Sequence, residues 1–372
     1  MGDPDPRGTD PRPAMIANAL PCSNLGSDLS HVGCDSRRND GVRSMDGERH
    51  LMCGVTDTPV VQRPAGLTWR AVALGRRRVE RVLRLVLPKG SLEKSTLDLF
   101  DHADLTVIRS SAVQYLATID DPRIAEVRIL RPQEIPAYIA EGLFDLGITG
   151  RDWIEETASD VISLGELPYS KATARPIRLV VAVPNDSPWK SAHDLPNGVR
   201  VSTEYVGLTE RFFERLGIEA RVRLSYGATE AKVPDIADVV VEITETGSAL
   251  RAAGLRIIDT VLTSYTELIA NADAYADPEK RHAMEQIQTL LLGTLEARGK
   301  VLLKLNVDND RFDAVVALVP SMKTPTVSRL WGETGYAIET VVNKKGINTL
   351  IPALKDAGAT DILELPIEKI IH

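Results

Sequence analysis

From Val82 onward the chain repeats one unit: a short apolar run, a turn rich in glycine and hydroxyl residues, then a helical pattern. Few folds accommodate that unit, because each run must pair with another and each helix must cover a sheet face. The run 82–88 ends in Lys89-Gly90-Ser91, and a helix follows with Leu92, Thr96, Leu97 and Phe100 on one face. A second helix is expected over 135–142, and 144–150 reads as a strand entering a turn. Apolar strands are expected over 177–183, 199–203 and 239–244, with a helix over 208–216 closed by Gly217. The alternation predicts an α/β class with largely parallel sheets. A long helix over 278–299 then leads to strand 301–306, helix 309–318, strands 324–329 and 335–342, helix 346–357 and strand 361–365. That βαββαβ order is ferredoxin-like and of a size to form its own domain.

Upstream of Val82 the composition changes. Residues 1–78 hold eleven Arg, no Lys, all three cysteines (Cys22, Cys34, Cys53), seven Pro and nine Gly, without sustained periodicity. Such a stretch buries too little apolar area to offset its conformational entropy, so a disordered extension is expected over 1–81. Two readings stay open: a mobile tail, or a stretch lying before a non-AUG start at Val79 or Val82. The apolar block 15–20 is too short for a signal peptide and follows Asp3, Asp5 and Asp10. The cysteines match no zinc spacing and are too few for a disulfide scaffold, which suits a cytoplasmic protein.

The 372 residues, 43% of them hydrophobic, are enough for two or three domains with ample cores. No apolar run approaches the roughly 18 residues of a membrane span, so no membrane partner is expected. A formal net charge of −8 argues against a nucleic-acid binder, which needs a basic face. An anionic small molecule still fits, provided local cations and backbone amides hold it.

Three turns carry that possibility. The strand 239–244 delivers the chain to Glu245-Thr246-Gly247-Ser248-Ala249-Leu250, where unpaired N–H groups at a helix start would bind phosphate without net positive charge. An ordinary capped helix has the same composition. The turn with Gly147, Thr149, Gly150 and Arg151 follows a strand in the same way, and Lys89-Gly90-Ser91 is a third. Such turns at the carboxyl ends of strands line a crevice, and their recurrence points to a polyanionic ligand. Asp238, Glu242 and Glu245 lie within eight positions, with Glu230 upstream. Carboxylates beside a phosphate imply a Mg²⁺ bridge or recognition of ribose hydroxyls, because bare carboxylate and phosphate repel. No catalytic triad or nucleophile elbow is present, and His102, His193 and His282 read as surface residues.

Taken in order, five segments resemble the ATP phosphoribosyltransferase family in its long form. They are 87–92 (Leu-Pro-Lys-Gly-Ser-Leu), 145–153 (Asp-Leu-Gly-Ile-Thr-Gly-Arg-Asp-Trp), 227–230 (Gly-Ala-Thr-Glu), 237–250 and 363–370. The resemblance implies a bilobal core shaped like a periplasmic binding protein, with lobe I over 82–178 and 263–277 and lobe II over 179–262. It further implies a linker helix over 278–297 and a histidine-binding regulatory domain over 298–372. The implied reaction condenses ATP with 5-phosphoribosyl 1-diphosphate, with Mg²⁺, in a homodimer or homohexamer inhibited by L-histidine. Residues 245–250 would hold the 5-phosphate. Asp238 and Glu242 would meet ribose hydroxyls or Mg²⁺, and Lys89, Gly90, Ser91, Gly147, Thr149, Gly150 and Arg151 the diphosphate or the ATP phosphates. Glu230 would face the nucleotide, and Asn306, Thr326 and Ser328 the effector. The chain departs from the family at Ala249, where Thr or Ser is usual, and around 110–114, where relatives often carry a basic residue; two readings stay open there, that Arg109 substitutes for it or that a cation is absent.

Three competing classes use similar features. A solute-binding protein shares the bilobal fold but normally carries a secretion signal. A transcriptional regulator's effector domain would follow a basic helix-turn-helix, which does not precede Val82. A phosphoribosyltransferase with another base acceptor would leave the last domain unexplained.

Overall fold

The computed structural model describes residues 83–170, 176–320, 322 and 324–372; the expected extension over 1–81 lies outside the described residues. The chain runs β1 (Leu83–Pro88), α1 (Glu93–His102), β2 (Val107–Ile108), β3 (Leu116–Ile119), β4 (Ile124–Leu130), α2 (Ile135–Ala140), β5 (Leu146–Gly150), α3 (Arg151–Thr157) and β6 (Ile162–Leu167). Next come β7 (Ile177–Pro184), β8 (Arg200–Thr203), α4 (Val206–Arg215), β9 (Arg221–Leu224), β10 (Val239–Thr244), α5 (Ser248–Ala252) and β11 (Leu255–Ser264). After these, β12 (Thr266–Ala270), α6 (Ala272–Ala276) and the long α7 (Pro278–Ala297) lead to β13 (Lys300–Asp308), α8 (Phe312–Val316), β14 (Thr326–Arg329), β15 (Gly335–Asn343), α9 (Ile347–Asp356) and β16 (Ala359–Pro366).

Three sheets result, in the orders β2-β3-β4-β1-β5-β12-β6, β11-β7-β10-β8-β9 and β14-β15-β13-β16. The first two are mixed rather than largely parallel. β1 runs parallel to β4 and β5, and β8 parallel to β9 and β10, but β12 is antiparallel to both of its neighbours and β7 to both of its own. Parallel pairing needs a long crossover, whereas β3 reaches its antiparallel neighbour β4 with hardly any chain between them.

Each sheet has its own apolar core. Leu85, Leu87, Val127 and Leu146 pack under α1 and α7 in the first, Leu179, Val181, Val201 and Phe213 in the second, and Leu303, Leu305, Ile338 and Leu354 in the third. The third sheet has the expected element order, with every pair antiparallel. Its tail turns back onto α7: the Ile370 N–H donates to the Gly293 carbonyl (2.9 Å), and Lys369 pairs with Asp104.

At the amino-terminal edge of β5, Asp145 is almost fully buried and holds two cations. It accepts from the Arg84 backbone N–H (2.8 Å), the Arg84 guanidinium (3.0 and 3.1 Å) and the Lys280 ammonium (2.9 Å). Burial alone would push its carboxyl up, but Arg84 and Lys280 together hold it below the ordinary Asp value. The pair thereby fixes α7 to the first sheet. Asp145→Asn is expected to cost about 2–3 kcal/mol at neutral pH, less than for a fully buried pair because Arg84 is partly exposed. The native carboxyl is depressed, so its contribution is complete above the ordinary value of 3.8 and is lost as pH falls through the lower folded-state value. Thermal melts should show a gap of several degrees between the variant and the wild type at pH 7, shrinking below about pH 4.

Candidate active site

A cavity of about 280 Å³ lies between the first two sheets. The first sheet contributes Ser91, Gly150 and Asp152, the second Ile243, Thr244 and Glu245, and the crossing strands Ser264 and Thr266. Of the expected site residues, the structure therefore brings Ser91, Gly150 and Glu245 to one cavity, the first two from one side and Glu245 from the other. Glu245 accepts a hydrogen bond from the Ser170 hydroxyl (3.2 Å).

Next to the cavity, Gly247 takes the left-handed conformation (φ 74°) that favours glycine. Its N–H donates to the Thr244 hydroxyl (2.7 Å), and the Thr246 and Ser248 hydroxyls lie 2.9 Å apart. The N–H groups of Ala249 and Leu250 meet no acceptor among the described residues. Leu250 packs its side chain into the apolar layer under β10, so its backbone faces the turn. The helix that follows has five residues, so the local amides contribute more than any helix dipole. A cation missed by the motif reading lies here: a Cβ at Gly247 would stand 2.9 Å from the Arg251 guanidinium.

On the first sheet, the Lys89 ammonium sits 4.7 Å from the centre of the Tyr115 ring, a cation–π contact that holds it at the lip beside Gly90. Arg109, the candidate to stand in for the family's basic residue, is ion-paired with Glu93. Its guanidinium is tied to Glu93 (2.8 Å) and the Ala112 carbonyl (3.1 Å), because Glu93 also receives the Gly90 N–H and anchors the whole loop.

Two members of the 147–151 turn are buried in packing, and a third is ion-paired at a partly exposed position. Gly147 is buried under α2, where a Cβ would come within 2.8 Å of Val86 and 3.1 Å of Ile135. Thr149 is fully buried and donates to the Pro132 carbonyl (2.9 Å). Arg151 pairs with Glu155 and approaches Glu267 (3.7 Å). Gly150 does line the cavity, yet its missing Cβ accommodates the protein itself: a Cβ there would lie 2.1 Å from the Asp152 carboxylate.

The carboxylates also separate. Asp238 stands before the first residue of β10, clamped by the Arg200 backbone N–H (2.9 Å) and guanidinium (2.6 Å), which hold its carboxyl down. Glu242 is four residues further along, half-buried near Thr229, Glu230 and Glu204. Burial pushes its carboxyl up, the Thr229 hydroxyl opposes this, and Glu230 and Glu204 add to the rise. Glu230 and Glu242 thus come together and Asp238 does not join them. Among the described residues, no group of three His, Cys, Asp or Glu side chains is arranged to hold a metal ion. In the third sheet, Asn306 faces Ala337, which faces Ser328, one row from Thr326; Asn306 also donates to Asp361 (2.9 Å).

A profile of the ATP phosphoribosyltransferase family (HisG) matches residues 131–293, and one of the HisG C-terminal domain matches 297–369. The chain is 48% identical over 291 residues to the ATP phosphoribosyltransferase of Pelotomaculum thermopropionicum, spanning 78% of this chain and 99% of that one. The Desulforudis audaxviator enzyme of the same name gives the same identity and coverage. Among solved structures, a chain of the ATP phosphoribosyl transferase (HisG:HisZ) complex from Thermotoga maritima is 25% identical, covering 57% of this chain and 99% of that one, with a TM-score of 0.49.

The two cavity-side glycines are expected to respond differently to alanine. Gly90 has open space around it, so Gly90→Ala should cost about 1–2 kcal/mol, the strain of a left-handed residue. Gly150→Ala must displace the buried Asp152 carboxylate and break its hydrogen bonds, and should cost roughly 3 kcal/mol or more. Urea denaturation of both variants measures the difference.

Proposed function

We infer the function from one premise: the chain belongs to the ATP phosphoribosyltransferase family. Its reaction condenses ATP with 5-phosphoribosyl 1-diphosphate to N1-(5-phosphoribosyl)-ATP and diphosphate, the first step of L-histidine biosynthesis. The observation that carries the site assignment is the cavity lined by Ser91 of the Lys89–Ser91 turn from one sheet and by Ile243, Thr244 and Glu245, just before the 246–250 turn, from the other.

The chemistry asks little covalent help from the protein. The lone pair of adenine N1 bonds to ribose C1 while the C1–O bond breaks and its electron pair leaves with diphosphate. Adenine N1 is already unprotonated near neutral pH, so no general base is required. What the protein supplies is alignment and charge compensation. We assign the 5-phosphate to the 246–250 turn, with its amides, two hydroxyls and the Arg251 guanidinium. Arg251 offsets the hydroxyl that Ala249 lacks. Lys89 and the Ser91 amide take the diphosphate, with Gly90 leaving the approach open, and Glu242 with Glu230 meets ribose hydroxyls or the nucleotide. Asp238 acts through Arg200 on the strand and has no substrate contact.

Mg²⁺ is proposed to arrive on the substrate phosphates. A direct Asp238–Glu242 ligand pair does not fit, because the two residues occupy different ends of β10 and Arg200 engages Asp238. When bound, the ion would neutralise the departing diphosphate.

The finer architecture belongs to the same proposal. The first two sheets form the lobes of a periplasmic-binding-protein-like core, and β13–β16 form a ferredoxin-like domain. The open face of that domain, with Asn306, Thr326 and Ser328, is proposed to bind histidine as inhibitor in a dimer or hexamer. A cytoplasmic setting suits such an enzyme, and among the described residues no helix is long and apolar enough to cross a membrane.

Mixing the protein with both substrates and following the ultraviolet absorbance of phosphoribosyl-ATP, with and without Mg²⁺, tests the reaction. Gly247→Asp should reduce turnover at least a hundredfold by placing a negative charge where phosphate binds; activity near wild type would reject the assignment. Ser328→Arg should weaken histidine inhibition tenfold or more while uninhibited turnover stays within twofold. Unchanged inhibition would move the effector elsewhere.

A further inference from the structure

We propose that Asp152 and Tyr205 are positioning residues that set the spacing between the two sides of the substrate cleft. The proposal rests on the phosphoribosyl-transfer reading above, in which the two ends of the activated sugar are held by turns on different sheets.

Asp152 opens α3, which continues from β5 of the first sheet; Tyr205 immediately precedes α4, which packs on the second. Their side chains are 2% and 1% exposed, and both line the cavity. The Tyr205 hydroxyl donates to one Asp152 oxygen at 2.7 Å, so a buried hydrogen bond crosses from one sheet's structure to the other's. Ser264, the last residue of β11 before the chain returns to the first sheet, donates to the other oxygen at 2.6 Å. The same hydroxyl accepts the Asp152 N–H at 3.0 Å. One carboxyl therefore ties together the start of α3, the start of α4 and the crossing point between the sheets.

Its surroundings enforce the tie. Trp153 stacks on Tyr205 with ring centres 4.4 Å apart and belongs to the apolar core of the second sheet, although its helix comes from the first. Glu156, one turn along α3, accepts the Gly207 and Leu208 N–H groups at 2.9 and 2.7 Å and so caps α4 from the opposite lobe. Gln133 reaches Glu204 at 3.3 Å. Gly150 leaves the room that the Asp152 carboxylate fills.

A carboxyl buried this deeply costs several kcal/mol of desolvation, which capping a seven-residue helix does not require. Spacing between the lobes does. Attack of N1 on C1 demands reacting atoms about 3–3.5 Å apart, and a displacement of about 1 Å can cost a hundredfold in rate. The buried bond is placed where it limits that displacement.

Tyr205→Phe in the full chain keeps the ring stack and removes the crossing bond. Titration with 5-phosphoribosyl 1-diphosphate, which spans the cleft, should show Kd raised roughly tenfold, and kcat should fall at least as far. Ribose 5-phosphate, which reaches the 246–250 turn alone, should bind within twofold of wild type. Equal weakening of both ligands would mark a general structural role and overturn the proposal, as would no change in either. Asp152→Asn, of the same shape, should give the same split and serves if Tyr205→Phe does not fold. A wild type that binds neither sugar phosphate overturns the functional reading itself, and this proposal with it.

Discussion

The arrangement of this protein depends on a carboxyl group kept away from water between two sheets. Asp152 has no space unless residue 150 is glycine, and its two oxygens are satisfied by hydroxyls from the second sheet's side of the cavity. Burial pushes the Asp152 carboxyl and the Tyr205 hydroxyl up alike, since each would carry its charge into a poorly solvated wall. Two cores that are otherwise separate thus share one polar joint, with Trp153 as its apolar counterpart. The cavity exists because the joint closes one side while the turns carrying Ser91 and Glu245 stay apart.

An acidic chain that binds polyanions must do so locally. Asp145, Asp238 and Glu93 are already committed to Arg84 and Lys280, to Arg200 and to Arg109, so these acids and bases cancel within the scaffold. What lines the cavity is a different set: the Ser91, Thr244, Ser264 and Thr266 hydroxyls with the Asp152 and Glu245 carboxylates, while Lys89 held over Tyr115 and Arg251 beside Gly247 belong to the adjoining turns. Amides carry no desolvation penalty comparable with that of a fixed charge, and glycine lets an anion approach them closely. The net charge of the chain is therefore a poor guide to the ligand, whereas the turns are a good one.

That distinction also explains what the sequence could and could not reveal. Strands β1, β7 and β10 are apolar on both faces and stand out as runs, and α1, α4 and α7 show a helical stripe. β11 was not legible as a strand because Asp259 interrupts it and two register shifts break its alternation. β2 is two residues long, and β9 alternates arginines on an open edge. At the site, a glycine reads the same whether open space or the protein occupies the missing Cβ position, so Gly147 and Gly90 look alike until Val86 and Ile135 are seen against the first. Asp238 and Glu242 share a spacing of four, which in a strand means one face but about 13 Å of separation. Asp152 stood inside a recognised motif, yet its partners Tyr205 and Ser264 lie 53 and 112 residues away, beyond any local pattern.

The third sheet is connected to this machinery through α7. Met284, Ile287, Leu291 and Leu295 bury one side of that helix in the core of the first sheet, while Lys280 at its start grips Asp145. At its far end the chain's last residues fold back: a Cβ at Gly293 would lie 2.9 Å from Ile371, and Lys369 crosses to Asp104 on the first sheet's side. Close-packed contacts of this kind have few intermediate positions, because a shift of a few tenths of an ångström either breaks the Ile370 hydrogen bond or drives Ile371 into the helix. The tail therefore sits on the same helix that packs against β1 and β6 of the first sheet. The third sheet is thus joined to the first through one helix, held at its start by a buried ion pair and at its far end by close packing against Gly293.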